Sequence, residues 1–538
     1  MNPRSETNLL SLLNTHVEVR AKSRWMAGVI CLVSLVLLLV GRTEIAARSA
    51  KAAALPAASS FCQPFEQVNE NAFGLGPGAD NAYAGEEGFE VAVFNNQLYL
   101  GMEADNSMGA RLWRTKAGIT QPESQADWEE VAVDADGNPF GITVTAQADH
   151  IDSLLAFDGY LYASTANGGS NILGTRIFRS ATGDPGTWED AIAGYGAGFG
   201  DVDNMNFKDM QVFQGNLCGG TQNWRKGAQV WCTGDGTTWT QKNVSGFGNG
   251  KGDVTNREVW SGHVFNAGLY FGVQNLGNDW GTSADDVGKL YRTTDLAGDP
   301  KWTEVYVGDP GSHRVDILGD LNGYLYISLR SPYGMVILRS PNGNANSWSQ
   351  VNTPGMNTNL ENSGAIVDGA TVYDNMLYIA ASNTSTGVEL WRTTGALQGV
   401  AGQTDWEQVD AHGLGDAKNY YAQLVAYQES LYAWTSNYTT GQQVLRTGCS
   451  QEGEAGVTPT PTATTLVTVT PVPTGPPSAT PPAPTTSVTP TENPSLTPTQ
   501  TPEPTAQCPF DTSNCQEENV GASQPLANFL PLAIKTGP

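Results

Sequence analysis

Charge is scarce in this 538-residue chain, with Asp, Glu, Lys and Arg making up only 15% of it. A coiled coil or long helical rod draws on charge and alanine for its solvent faces, so that class is excluded. Basic residues are scarcer still: 28 Lys and Arg stand against 54 Asp and Glu, a formal charge of −26. So strong an anion is repelled at long range by nucleic acid and by anionic membrane surfaces, and neither is expected as a partner. Only five His and seven Cys are present, with no Cys-x-x-Cys pair and no Cys/His cluster at zinc spacing. No Gly-x-Ser-x-Gly occurs, and the histidines are scattered, so a nucleophilic triad finds no support. Gly (61) and Pro (30) are abundant by contrast, and point to many short strands joined by turns. Fourteen Trp and eighteen Tyr are too many for a disordered chain.

One apolar run stands out, Met26 to Val40, preceded by Arg20, Lys22 and Arg24. About fifteen apolar residues suit a secretory signal better than a full membrane span, which needs roughly 20. Small residues from Ala46 to Ala58 offer cleavage positions, so residues 1–58 read as signal peptide and leader. An uncleaved anchor at 26–41 is the alternative, and that anchor is the one membrane contact expected. Both readings place the rest of the chain outside the cell, because the basic flank stays in the cytoplasm. The cysteines after Cys31 fall into three pairs, Cys62 with Cys449, Cys218 with Cys232 and Cys508 with Cys515. Disulfides of this kind persist in oxidising compartments.

Internal repeats organise the centre of the chain. A short motif runs Leu112-Trp113-Arg114-Thr115, Ile177-Phe178-Arg179-Ser180, Val230-Trp231-Cys232-Thr233 and Leu290-Tyr291-Arg292-Thr293. It returns as Ile337-Leu338-Arg339-Ser340, Leu390-Trp391-Arg392-Thr393 and Val444-Leu445-Arg446-Thr447. Upstream of each copy lies an apolar strand whose leucines are Leu98, Leu161, Leu217, Leu269, Leu325, Leu377 and Leu431. Turns such as Asn95-Asn96 and Asn322-Gly323 join that strand to an earlier one, as in a tight hairpin. A fourth strand opens at Trp128, Trp188, Trp239, Trp302, Trp348 and Trp406, often as Trp-x-x-Val. The last copy lacks this strand, but Phe65-Glu66-Gln67-Val68 matches Trp406-Glu407-Gln408-Val409. Four short strands repeated seven times predict an all-β, seven-bladed β-propeller over 62–449. The N-terminal strand is expected to close the last blade, with a Cys62–Cys449 bridge locking the seam.

The repeat F-N-G-x-L-Y-x-G, L-W-R-T, W-x-x-V, G-F-G resembles a family of uncharacterised secreted bacterial propellers, distantly similar to kelch and Asp-box repeats. Thr233-Gly-Asp-Gly-Thr-Thr-Trp239 looks like an Asp-box one residue short. The resemblance implies the fold and leaves the activity open. After the repeats, Val457 to Ala506 holds 31 Thr or Pro in 50 residues, without Lys, Arg or an aromatic ring. Such a stretch cannot build a core and reads as an extended stalk. Residues 507–538 follow as a short tail with one disulfide loop, Cys508–Cys515, ending in an apolar Phe529 to Lys535.

Propeller ligands commonly sit over the central channel, on loops that enter the innermost strands. Here those loops carry Glu86, Glu87, Asp149, His150, Asn204, Asn206, Asn256, Arg257, His313, Arg314, Asn362 and Asn419. Together they would make a shallow polar site for a sugar or peptide; the bland alternative is that Asn and Asp simply cap turns. Most arginines occupy the repeated third-strand position, whereas Arg257 and Arg314 lie next to the loops between repeats. Asp149, Asp152, Asp201 and Asp203 could supply the two acids of a glycosidase. Asp134, Asp136 and Asn138, or Asp201 and Asp203, form oxygen-rich stretches that could hold Ca²⁺ weakly; no other cofactor is implied. The reading is therefore a surface or secreted binding and adhesion propeller for an extracellular glycan or protein. A glycan hydrolase or lyase and a purely structural surface protein are the alternatives.

Overall fold

The computed structural model describes residues 65–76, 85, 87–104, 109–133, 140, 150–166, 173–248, 256–275, 287–366, 368–394 and 405–448. The chain divides into two compact units at residue 62, and every described residue belongs to the second. The leader, the stalk, the tail and the Cys62, Cys449, Cys508 and Cys515 pairings lie outside the described residues. Among the described residues no helix is long and apolar enough to cross a membrane.

The unit is all-β. Strand β1 (Glu66–Gln67) is followed by β2 (Gly88–Phe94), β3 (Gln97–Met102), β4 (Arg111–Thr115) and β5 (Trp128–Glu130). Next come β6 (Ile151–Phe157), β7 (Tyr160–Thr165), β8 (Arg176–Ser180) and β9 (Glu189–Asp190). The third set is β10 (Asn206–Phe213), β11 (Asn216–Gln222), β12 (Val230–Thr233) and β13 (Trp239–Gln241). The fourth is β14 (Asn256–Phe265), β15 (Gly268–Asn275), β16 (Lys289–Thr293) and β17 (Thr303–Val307). Then follow β18 (Arg314–Leu321), β19 (Tyr324–Arg330), β20 (Val336–Ser340) and β21 (Ser349–Gln350). The chain continues through β22 (Ala370–Tyr373), β23 (Met376–Ala381), β24 (Glu389–Thr393) and β25 (Trp406–Asp410). It closes with β26 (Tyr421–Tyr427), β27 (Ser430–Ser436) and β28 (Val444–Gly448).

Within each set the strands pair antiparallel in chain order, and β1 completes the last as β1-β28-β27-β26. Glu66 pairs with Arg446 and Gln67 with Leu445. A single pair, Gln222 with Glu258, links β11 to β14 and merges two sets into one eight-stranded sheet. The first strands form a cycle: β2 packs on β6, β6 on β10, β10 on β14, β14 on β18, β18 on β22, β22 on β26, and β26 on β2. Closed radial repetition of antiparallel meanders is a β-propeller.

The hairpins follow from local chemistry. Asn95 and Asn96 both take positive φ (48° and 60°), the geometry of a two-residue turn between Phe94 and Gln97. Asn tolerates that region better than most side chains. Fourth strands vary in length, from two residues in β9 and β21 to five in β17 and β25. Short outer strands leave little exposed ladder for another chain to pair with.

The repeated residues join one set to the next. Each fourth-strand tryptophan donates its indole N–H to the carbonyl at the Val position of the preceding Trp-x-x-Val copy. Trp128 reaches Val68 (2.8 Å), Trp188 Val131 (3.1 Å), Trp239 Ala191 (3.3 Å), Trp302 Lys242 (2.7 Å), Trp348 Val305 (3.1 Å) and Trp406 Val351 (2.7 Å). The third-strand arginine reaches the other way. Arg114 donates to the Tyr99 hydroxyl (3.0 Å) and pairs with Asp184 of the next set (2.6 Å). Arg292 repeats this with Asn344 (2.6 Å). Gly183 and Gly343 let the tyrosine tips in, since a Cβ there would lie 2.2 and 2.1 Å from the hydroxyls of Tyr99 and Tyr270. A disulfide joins Cys218 to Cys232, which are direct cross-strand partners of β11 and β12.

Candidate functional site

The loops entering the first strands divide into joints and a channel mouth. Asn204, Asn256, Asn362 and Asn419 are fully buried, with their amides turned into the joints. Each donates to a carbonyl of the Gly-rich turn before it: Gly198 (2.9 Å), Gly246 (2.7 Å), Gly355 (2.9 Å) and Gly413 (2.9 Å). Each also accepts from an asparagine at the end of the second strand of its set. The pairs are Asn223 to Asn204 (2.9 Å), Asn275 to Asn256 (2.6 Å), Asn383 to Asn362 (2.9 Å) and Asn437 to Asn419 (2.9 Å). These amides are thus satisfied inside the protein, as buried polar groups must be. Asn206 is buried on β10.

The chemistry gathers lower, on the first strands themselves. Lys208 of β10 lies between Asp152 of β6 and Glu258 of β14, 3.3 Å from each. His150 Nε2 lies 3.0 Å from the same Asp152 oxygen, and its ring stacks on Phe89 at 4.0 Å. Trp260 is held between two cations, with Lys208 Nζ 3.9 Å and the Arg314 guanidinium carbon 4.0 Å from its ring centroid. Arg314 pairs with Asp316 (2.8 Å) and donates to the Ala365 carbonyl (2.8 Å). Burial pushes the Asp152 carboxyl up, but Lys208 and His150 outweigh it and hold it below its ordinary value. Burial would lower Lys208, and its two carboxylates outweigh that in turn and raise it. Glu258 and Asp316 are raised, burial outweighing the cations beside them. The Arg314 guanidinium is pushed down to about 10 by burial despite Asp316.

A second group of acids lies beside the first, with Asp209 next to Lys208 on β10 and Glu90 on β2, the strand that packs on β6. Glu90 of β2 is raised well above its ordinary value, by burial first and then by Asp368, Asp209 and Asp152. Burial and Asp368 push Asp209 up to about 8, against hydrogen bonds from the Gly262 N–H (2.6 Å) and Gln211 (2.7 Å). Asp368 is raised to about 6 by burial, while the Glu90 carboxyl and the Val91 N–H donate to it. Both aspartates sit at positive φ (45° and 54°), which a non-glycine residue adopts at a cost.

The two groups meet at a cavity lined by Glu87, Phe89, Glu90, Asp152, Lys208, Trp260, Ile366, Tyr421, Gln423 and Ser436. Its volume is about 20 Å³, about the room one water needs. Glu87 and Phe89 precede or open β2, so the cavity lies at the end where the chain enters the first strands.

Of the other expected site residues, Arg257 stacks on Trp224 (4.6 Å), away from this cavity's lining. His313 is depressed to about 3 by burial and by Arg330 and Arg314, which keeps its imidazole neutral. Asp201 pairs with Lys226 (2.8 Å) and Asp203 with Arg225 (3.4 Å), so both carboxylates already face cations. Glu86, Asp134, Asp136, Asn138 and Asp149 lie outside the described residues. Among the described residues no three His, Cys, Asp or Glu side chains stand in metal-ligating geometry.

Sequence reasoning reached Glu87, His150 and Asp152 and passed over Glu90, Lys208, Asp209, Glu258, Asp316 and Asp368. The missed signal is one or two charges inside an apolar first strand, as in Phe89-Glu90-Val91, Phe207-Lys208-Asp209-Met210 and Val315-Asp316-Ile317. The second asparagines were also legible, since Asn223, Asn275, Asn383 and Asn437 each stand six residues after a repeat leucine.

No family model matches the sequence, and no curated protein does. Some solved structures resemble the chain distantly. A Trypanosoma rangeli sialidase in complex with sialic acid is 12% identical, with TM-score 0.35, over 73% of this chain and 59% of that one. A Hadza microbial sialidase is 10% identical, with TM-score 0.36, over 65% of this chain and 75% of its own. A puromycin-hydrolyzing peptidase of Mycobacterium tuberculosis is 10% identical, with TM-score 0.41, over 72% and 55%. The match thus spans about three fifths of the trypanosomal enzyme's length. Likeness at this level concerns architecture and carries nothing about activity.

Proposed function

We propose that this chain is an exported seven-bladed β-propeller, closed by its N-terminal strand and carried on a Thr/Pro stalk. It acts as a binding module for an extracellular glycan, taken at the channel mouth beside Glu87, Phe89 and Tyr421. The observation that carries this reading is the concave cavity at that mouth. It combines aromatic rings with carboxylate, amide and hydroxyl side chains, the mixture by which concave sites hold polar ligands. The Asp152–Lys208–Glu258 cluster beneath it is costly to bury and adds little net stability. A site that must hold its polar groups fixed gives such a cluster a use. The Cys218–Cys232 disulfide fits an oxidising compartment.

A glycan hydrolase is the second reading, and one observation favours it: Glu90 and Asp368 are both raised, as a carboxyl kept protonated for acid catalysis would be. Their shared hydrogen bond speaks against it. Glycosidase carboxyls stand roughly 5–9.5 Å apart to flank the bond that breaks, whereas hydrogen-bonded carboxyls are in contact.

The test is the full exported chain on a broad glycan and polysaccharide array, with Ca²⁺ and with EDTA. Retained spots without new reducing ends are expected. Reducing ends that appear with the wild type and vanish with Glu90→Gln would establish the hydrolase instead. A blank array would leave a structural or protein-binding propeller.

A further inference from the structure

We infer that the group entering the mouth cavity is a protonated primary amine, and that the glycan is one with free amino sugars. This rests on the binding reading above and adds the ligand's chemistry to it.

Two acceptors of the cavity wall stand without a donor. Glu87, Asp152 and Gln423 bring acceptors to the lining, Lys208 is its one cation, the Glu90 carboxyl is given to Asp368, and the Trp260 indole N–H is buried there without a partner. Lys208 is already committed to Asp152 Oδ1 and to Glu258. The other Asp152 oxygen, Oδ2, is buried and finds no donor among the described residues. Neither does Gln423 Oε1 on β26. Both side chains belong to residues only 2% exposed. A buried carboxylate oxygen and a buried amide oxygen without donors are costly as they stand.

An ammonium group answers these requirements. It is compact, carries only donors, and points three N–H bonds at separate acceptors. Its size suits a cavity of about 20 Å³, where a sugar ring does not fit and the tip of a substituent does. An N-acetyl group brings one N–H and an acceptor carbonyl, so it satisfies fewer acceptors and occupies more space. A sulfate or carboxylate would face Glu87 and Asp152 and is repelled. The ring bearing the amine would remain outside, against Phe89, Tyr421 and Ile366 at the rim.

The acidic surface attracts any polycation at low salt, so the test needs a small ligand and a distal control. Titration calorimetry of the full exported chain at 0.15 M salt would compare glucosamine disaccharide with its N-acetylated counterpart. The amine should bind at least tenfold more tightly, and Asp152→Asn and Gln423→Leu should each remove most of that preference. Glu429→Gln, beyond the far end of β26, should leave it unchanged. Equal affinity for both disaccharides, or a preference that survives both mouth variants, overturns the amine assignment. A lysine peptide that binds through the same two residues while neither sugar does keeps the amine and overturns the glycan reading.

Discussion

At the residue scale the channel acids control how stability responds to pH. Asp209 titrates near 8, far above an unfolded aspartate near 3.9. A group raised on folding contributes stability that is complete below the unfolded pKa and is lost as pH rises through the folded one. Glu90 and Asp368, raised in the same way and facing Asp209, share that sign. Asp152, held down by Lys208 and His150 on the adjacent wall, has the opposite one and loses its contribution in acid. Asp209→Asn isolates the first effect. Asn keeps an acceptor for the Gly262 N–H and tolerates positive φ. Thermal melts should show the variant gaining on the wild type steadily from pH 4 to pH 8. A difference that does not change with pH would mean that Asp209 ionises normally.

At the scale of elements, the ring is held by one contact repeated. The six tryptophans donate to six carbonyls at the preceding outer strands, and Trp128 does so to Val68, across the joint between the first and last sets. Trp128→Phe keeps a ring in place but leaves that buried carbonyl without its donor, at a cost of about 1–3 kcal/mol. Urea unfolding of Trp128→Phe and Trp348→Phe should give similar losses, since both joints use the same bond. A loss at Trp348 with none at Trp128 would mean that the closing joint is not made as described. These elements were legible because hairpin turns, alternating strands and repeated motifs are local signals. Asn95-Asn96, the Cys218–Cys232 pair and the Phe65-to-Val68 strand were all readable from the chain. The tryptophan bonds were not, because each links residues 43 to 60 positions apart in neighbouring sets.

At the scale of the whole molecule, the site arises only when the ring closes. Glu90, Asp152, Lys208, Gln423 and Trp260 lie on five first strands spread from β2 to β26. No sequence window holds more than a fraction of them. Their loops drew notice instead, because Asn, His and Arg in loops look functional. Asn204, Asn256, Asn362 and Asn419 turned out to lock joints. A charge inside an apolar strand was the better signal, since burying one without purpose is expensive.

The proposed ligand enters at the β2–Glu87 end of the channel. Ile366→Arg puts a bulky cation at that mouth, and Val93→Arg puts one at the exposed far end of β2. Both full-length variants would be probed on the same glycan array as the wild type. The account predicts that Ile366→Arg loses every retained spot while Val93→Arg keeps them. Spots that persist in Ile366→Arg and vanish in Val93→Arg would place the ligand at the opposite end and contradict it.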